Sequence, residues 1–76
     1  MRWRVLQDVG AELDRAIAKF PPFHNPHEGY AVIREELDEL WDDIKANNRD
    51  NLRLEAVQVA AMAVRFVLML DGEGEQ

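Results

Sequence analysis

The segment that most constrains the fold is "AVQVAAMAVRFVLML", residues 56–70, in which only Gln58 and Arg65 are polar. At about 100° per residue, its apolar side chains cover most of the circumference of a helix. A helix that is apolar nearly all round is buried on more than one side. Two other helices in a chain of 76 residues can hardly cover it. We therefore expect this helix to pack across a symmetric interface, in a homodimer or a homotetramer.

A first helix is predicted over residues 3–19, because apolar side chains recur there at spacings of three or four. These side chains are Val5, Val9, Leu13 and Ile17, followed by Phe20. The segment "FPPF", residues 20–23, ends the helix, since proline cannot continue a helix and restricts the residue before it.

A second helix is predicted over residues 26–46. Asn25 suits its N-cap, Pro26 its first position and Glu28 the position of a capping-box acid. Its apolar positions follow helical spacing and define a core face: Tyr30, Ile33, Leu37, Leu40, Trp41 and Ile44. We expect Tyr30 and Trp41 to pack in the core, with stacking on a nucleotide base as the alternative.

The third helix is predicted over residues 51–70, with Asp50 or Asn51 as its cap and Gly72 as its terminator. The tail, residues 72–76, is expected to be frayed. No segment alternates with period two for long enough to be a strand. The sequence thus predicts the all-α class and a single helical domain over residues 1–76, whose three helices join other copies in an oligomeric bundle.

Composition narrows the possible partners. The chain has no cysteine, so neither a disulfide nor a thiolate nucleophile or ligand is available. The formal net charge of −6 argues against nucleic acid and against an anionic membrane as partner. It does not argue against a phosphate-bearing small molecule, because bound cations can offset an acidic cluster. Charges interrupt the N-terminus, which therefore does not resemble a signal peptide, and we expect a cytoplasmic protein.

The second helix carries six carboxylates within nine residues, and a helical wheel divides them into two sets. Glu35, Asp38 and Asp42 lie opposite the core face, where a solvated surface is expected. Glu36, Glu39 and Asp43 form one stripe along the border of the core, with no basic residue of the helix on it. Like charges at this spacing repel one another, and a hard divalent cation would neutralise them. A solvated border and a metal-binding stripe both remain open at this point.

The third helix supplies further oxygen atoms. Glu55 and Gln58 are three residues apart and project to one side. An E-x-x-E pair facing this pair would place three carboxylates and one amide oxygen around a shared point. Such a ligand set suits Mg²⁺, which takes a few carboxylates and keeps several waters or substrate phosphates.

The segment "EELDEL", followed closely by "EAVQVAAMAVRF", resembles the MazG-like all-α nucleoside triphosphate pyrophosphohydrolases over about residues 24–70. These proteins hold Mg²⁺ between E-x-x-E on one helix and E-x-x-D on the next. The resemblance implies catalytic and metal-binding roles for Glu36, Glu39 and Glu55. Gln58 stands where the family has aspartate, and Asp43 is a candidate to supply the missing charge. The implied reaction cleaves a nucleoside triphosphate into its monophosphate and pyrophosphate.

Two further residues are candidates for substrate binding. Arg65 lies on the polar sector of the third helix and could meet a phosphate, or it could form an ion pair with Asp43 or Glu39. His27 could contact the nucleotide or serve only the turn before the second helix. Because Gln58 is neutral, a second function also stays open, that of a non-catalytic helical module for protein–protein contact.

Overall fold

The computed structural model describes residues 1–72, which form three α-helices and, in that range, no strand. The helices are α1 (Arg2–Lys19), α2 (Pro26–Lys45) and α3 (Arg49–Asp71). The all-α class predicted from the sequence is confirmed. Within the same range, no helix is both long enough and apolar enough to cross a membrane.

The start of α2 is fixed by side chains, as its sequence predicts. The carboxamide oxygen of Asn25 accepts the backbone N–H of Glu28 at 2.9 Å. In return, the Glu28 carboxylate accepts the backbone N–H of His24 at 2.6 Å. This bond lowers the pKa of Glu28, because it stabilises the charged form. One free donor of the first helical turn, the N–H of Glu28, and the N–H of His24 just before the N-cap are therefore satisfied.

The turn between α2 and α3 is shorter than predicted, and α3 begins at Arg49 instead of residue 51. Asn48 occupies the N-cap position without a side-chain hydrogen bond, so neither Asp50 nor Asn51 caps the helix. The chain reverses quickly because Asn47 adopts a left-handed conformation, with φ of 57°, which asparagine tolerates well.

The end of α3 agrees with its sequence. Gly72 has φ of 75° and its N–H bonds back to the carbonyl groups of Leu68 and Met69. A glycine adopts this left-handed conformation without a steric penalty, so it terminates the helix. The prediction of a frayed tail concerns residues 73–76 as well, and these lie outside the described part of the chain.

The third helix is the centre of the domain. Both α1 and α2 pack on α3, and within residues 1–72 no Cα atom of α1 lies within 8 Å of a Cα atom of α2. Asp8 pairs with Arg53 at 2.6 Å, and the carbonyl of Pro21 meets Arg65, so α1 runs parallel to α3. Gly29 lies against Phe66, and α2 therefore runs antiparallel to α3. The order across the domain is α1, α3, α2.

The buried core is small. It comprises four buried apolar residues and six partly buried ones packed against them: Ala16, Phe23, Ala61, Met62, and then Val9, Leu13, Val32, Ile33, Phe66 and Met69. Ala61 is fully buried where α3 meets its neighbours, and among the described residues no large side chain is fully buried. A core of this size offers limited hydrophobic stabilisation to a 76-residue chain.

The predicted core face of α2 needs correction. Leu37 and Ile44 are about half exposed, and Tyr30 and Trp41 are 61% and 54% exposed, so none of the four packs in the core of the chain. The reason is that α2 meets α3 through Gly29, which has no side chain and lets the helices approach closely. This contact turns α2 so that its apolar residues point partly away from α3.

We predict that Gly29→Ala destabilises the fold. A Cβ at this position would lie 2.6 Å from Cδ2 of Phe66 and 3.1 Å from Cδ2 of Phe23. Overpacking of this kind costs about 1–3 kcal/mol, more than the roughly 0.5–1 kcal/mol that alanine gains over glycine in a helix. Urea denaturation of both forms measures the difference in the free energy of unfolding.

The control is the same substitution in a Phe66→Ala background, where the obstructing ring is absent. There the cost of Gly29→Ala should fall to what the remaining 3.1 Å contact with Phe23 imposes, and the double-mutant cycle should show a coupling between positions 29 and 66. Equal costs in both backgrounds would contradict the close contact.

Candidate functional site

Three of the sequence-predicted acids come together between α2 and α3. Glu36, Glu39 and Glu55 each place one carboxylate oxygen within 4.8 Å of the others, and we call these three residues the acidic group. Glu36 and Glu39 are one turn apart on α2. Because α2 is antiparallel to α3, the first turns of α3 face them and Glu55 completes the group.

Gln58 lies beside the acidic group, one turn after Glu55. With its amide nitrogen turned to the carboxylates, it donates hydrogen bonds to Oε1 of Glu36 and to Oε1 of Glu55, both at 3.2 Å. Turned the other way, the amide offers an oxygen ligand at the same place. The amide can therefore stabilise the acidic group either by hydrogen bonds or by sharing a cation with it.

The acidic group carries electrostatic repulsion. Burial raises the pKa of Glu36, and the charges of Glu39 and Glu55 raise it further. Burial likewise raises the pKa of Glu55, with smaller contributions from Glu39 and Asp43. None of the ion pairs among residues 1–72 includes a member of the acidic group. The charge on these carboxylates is thus left for another cation to neutralise.

The donor set fits Mg²⁺. The ion prefers six oxygen ligands at about 2.1 Å in octahedral geometry, which puts adjacent ligand atoms about 3 Å apart. Carboxylate oxygens within 4.8 Å of one another can reach this spacing by small side-chain rotations. Three carboxylates and an amide oxygen are hard ligands, and the partial exposure of Glu39 leaves room for water or a phosphate.

The remaining acids of α2 lie outside the acidic group, although Glu35 lines the same groove as Glu36 and its charge helps to raise the pKa of Glu36. Glu35, Asp38 and Asp42 are exposed, and two of them form surface ion pairs: Arg34 with Asp38 at 3.4 Å and Lys45 with Asp42 at 3.7 Å. Asp43 is partly buried, and its carboxylate lies 3.5 Å from the amide nitrogen of Asn48. The structure does not bring Asp43 into the acidic group, although its charge reaches Glu55.

A groove of about 680 Å³ opens between α1 and α2, with α3 as its floor. Its walls include Glu36 and Gln58, three basic residues, three further carboxylates and two aromatic residues: Arg15, Lys19, Arg65, Glu12, Glu28, Glu35, Phe20 and Phe23. The groove has room because the backbones of α1 and α2 stay more than 8 Å apart. It therefore places Glu36 near side chains of both charges and near aromatic surface.

Arg65 is held rigidly in this groove. It is 7% exposed, its Nη2 donates to the carbonyl of Pro21 at 2.8 Å, and its guanidinium lies 4.2 Å from the ring centroid of Phe23. Burial lowers the pKa of Arg65, and the charge of Glu28 partly opposes this. The ion pair with Asp43 or Glu39 that the sequence left open is not formed. Arg65 instead lines the groove.

The position of His27 does not test the prediction that it contacts the nucleotide. His27 is exposed in the first turn of α2 and does not line the groove. Conversely, Arg15 and Lys19 line the groove and were not singled out. In the sequence they are a pair of basic residues beside the apolar stripe of α1. This pattern becomes informative only when the order of the helices is known.

Comparison of the chain with models of known protein families, with curated proteins and with solved structures finds no match.

We predict that Mg²⁺ raises the melting temperature of the protein through the acidic group. At 100 times the dissociation constant, a ligand specific for the folded state adds about 2.7 kcal/mol, which corresponds to roughly 10 °C or more in a domain of this size. Glu36→Gln or Glu39→Gln should remove this shift, because each deletes a charged ligand. Differential scanning fluorimetry with and without Mg²⁺ measures it.

The matched controls are Asp38→Asn and Asp42→Asn, which remove the same charge from the exposed side of α2, away from the groove. Both should keep the full Mg²⁺ shift. A loss of equal size in both sets would show that the ion responds to net charge and not to the acidic group.

A second prediction concerns Gln58, the neutral side chain beside the acidic group. Gln58→Glu keeps the shape of the side chain but adds a fourth carboxylate, so it should lower stability without Mg²⁺ and tighten Mg²⁺ binding about tenfold. Isothermal titration calorimetry gives the affinity for Mg²⁺, and thermal denaturation in EDTA gives the loss of stability in the absence of the ion. Unchanged affinity would place the Gln58 side chain outside the coordination sphere.

Proposed function

We propose that this chain is a Mg²⁺-dependent nucleoside triphosphate pyrophosphohydrolase, which converts a nucleoside triphosphate into its monophosphate and pyrophosphate. The observation that carries the proposal is the acidic group, whose member Glu36 lines a groove that also contains Arg15, Lys19 and Arg65. The resemblance of "EELDEL" and "EAVQVAAMAVRF" to MazG-like proteins supports the same reaction.

The acidic group binds the metal in this proposal. Bound Mg²⁺ would polarise the phosphoryl oxygens and lower the pKa of the attacking water. A carboxylate of the group that is not fully engaged in ligation accepts the proton of that water, whose oxygen bonds to the α-phosphorus. The bond between the α-phosphorus and the bridging oxygen breaks, and pyrophosphate leaves with that oxygen.

The groove orients the substrate. A triphosphate is strongly anionic, and the acidic group alone would repel it. Lys19 and Arg65 supply positive charge along the groove, where Arg15 is paired with Glu12, and Arg65 is already held by Pro21 and Phe23. A preorganised guanidinium loses little entropy when it binds a phosphate oxygen. The exposed ring of Phe20 offers a surface on which a base can stack.

A second function has a specific observation in its favour. Gln58 can hydrogen-bond both Glu36 and Glu55, so the site can hold together without a metal. A chain with the same helices but no turnover would then serve as a non-catalytic helical module. The two functions differ in whether Mg²⁺ and a nucleotide bind together.

We also propose that the protein acts in the cytoplasm as a homodimer or a homotetramer. Nucleoside triphosphates are abundant in that compartment. Self-association is supported by the apolar residues that α3 leaves uncovered, among them Val67 and Leu70, which are 52% and 62% exposed.

The test is release of pyrophosphate from a panel of ribo- and deoxyribonucleoside triphosphates, with Mg²⁺ or with EDTA. We expect Mg²⁺-dependent turnover of at least one substrate, its loss by a factor of 100 or more in Glu39→Gln, and near-normal rates in Asp42→Asn. The products should be the monophosphate and pyrophosphate in equal amounts. Absence of turnover, together with absence of Mg²⁺-dependent nucleotide binding, would favour the non-catalytic module.

A further inference from the structure

The groove has two chemically different ends. Glu36 and Gln58 line the end beside the acidic group. Arg65 follows Gln58 by seven residues on α3, which places it about 10 Å further along the helix axis. We call this second part the loop end, because it adjoins the segment that joins α1 to α2. The loop end is lined by Phe20, Pro21, Phe23, Glu28 and Arg65.

Arg65 brings unused hydrogen-bond donors to the loop end. A guanidinium carries several N–H groups. Among residues 1–72, those of Arg65 bond only to the carbonyl of Pro21 at 2.8 Å and, weakly, to Sδ of Met62 at 3.4 Å. Arg65 is 7% exposed and forms no ion pair in that range. No buried side-chain nitrogen of the described residues lacks a partner, so the unbonded Nε of Arg65 is accessible to a ligand.

Glu28 supplies acceptors at the same end. Gly29 lies against Phe66, so the residues that precede them, Glu28 and Arg65, lie at the same level of the two helices. The charge of Glu28 partly opposes the lowering of the pKa of Arg65, yet the two side chains are not paired. A carboxylate can accept about four hydrogen bonds, and that of Glu28 bonds only to the backbone N–H and the ring of His24. The loop end therefore offers donors and acceptors that do not satisfy each other.

A phosphate and the edge of a base are the two parts of a nucleotide that could bond to Arg65. Phosphates held by a metal at the acidic group lie about 10 Å from Arg65 along α3, and a phosphate at the loop end would be repelled by Glu28. A base is neutral, and the half-exposed ring of Phe20 offers it a stacking surface. The hydrogen bonds of Arg65 therefore fit the base, while its charge attracts the triphosphate at longer range.

We propose that the loop end selects bases that carry a carbonyl oxygen next to a ring N–H, namely guanine, hypoxanthine, uracil and thymine, over adenine and cytosine. The oxygen accepts from Arg65 and the ring N–H donates to Glu28. Adenine and cytosine have an amino group in place of the oxygen and no hydrogen on the adjacent ring nitrogen, so both contacts are lost. The inference rests on the proposed function, which places the triphosphate at the acidic group, and it names the substrate class.

The test measures the binding of α,β-methylene triphosphates. They keep the base and the phosphates but have carbon in place of the bridging oxygen that the proposed reaction releases. Isothermal titration calorimetry with Mg²⁺ compares the guanosine, uridine, adenosine and cytidine analogues. The first two should bind roughly tenfold or more tighter than the last two. Equal affinities for all four, or no binding of any, would overturn the proposal.

Two variants locate the preference. Glu28→Gln can still accept the N–H of His24, as a capping-box residue does, but it brings an amide donor to the site. Arg65→Lys keeps the charge and loses the planar fork of donors. In each variant, the preference for the guanosine over the adenosine analogue should fall about fivefold or more. The matched control Asp38→Asn removes a charge from α2 outside the groove and should keep the wild-type ratio.

If Arg65→Lys fails to fold, as judged by circular dichroism, the ratio in Glu28→Gln decides. Equal weakening of all four analogues in the folded variants would assign these side chains to the phosphates and overturn the proposal. A base preference in binding, without cleavage of any nucleoside triphosphate, would refute the hydrolase and support the base selection. Cleavage of all triphosphates without a base preference in binding would refute the base selection alone.

Discussion

The contact between Gly29 and the ring of Phe66 determines how α2 sits on α3, and much of the molecule depends on it. Because glycine has no side chain, the helices come close, and the side of α2 next to Gly29 faces α3. This orientation places Glu36 in the seam between the helices, where burial raises its pKa, and opposes it to Glu55. The same orientation leaves Tyr30 and Trp41 exposed.

A cluster of three carboxylates is unfavourable for folding, and the surrounding structure must compensate. Apolar packing of α2 on α3 supplies the stabilisation, while Gln58 supplies hydrogen bonds to Glu36 and Glu55. An aspartate at this position would add a fourth negative charge and could not donate. The neutral amide therefore reduces the electrostatic repulsion that destabilises the fold when no cation is bound. It also makes the attraction of the site for Mg²⁺ weaker than an aspartate would.

Local patterns in the sequence predicted the helices well. The cap at Asn25 and the terminator at Gly72 follow from the residues themselves, and the pairing of Glu36 and Glu39 with Glu55 followed from helical spacing and order. The core face of α2 was predicted correctly at Ile33, which packs against the core, and wrongly at Tyr30, Leu37, Trp41 and Ile44, because hydrophobicity alone assigned these residues to it. The actual orientation depends on a contact with Phe66, 37 positions from Gly29 along the chain, which no local pattern contains.

The two sides of α3 explain why one short helix can serve two purposes. Its front side carries Gln58 and Arg65, the polar residues of an otherwise apolar segment, and both line the groove. Its back side holds alanine, valine and leucine, which gain stability only when another surface excludes water from them. Since α1 and α2 both flank the groove, neither can cover the back side of α3. The open groove and the uncovered back side of α3 are consequences of the same arrangement, so the proposed association with a second copy would stabilise the layer that holds the acidic group.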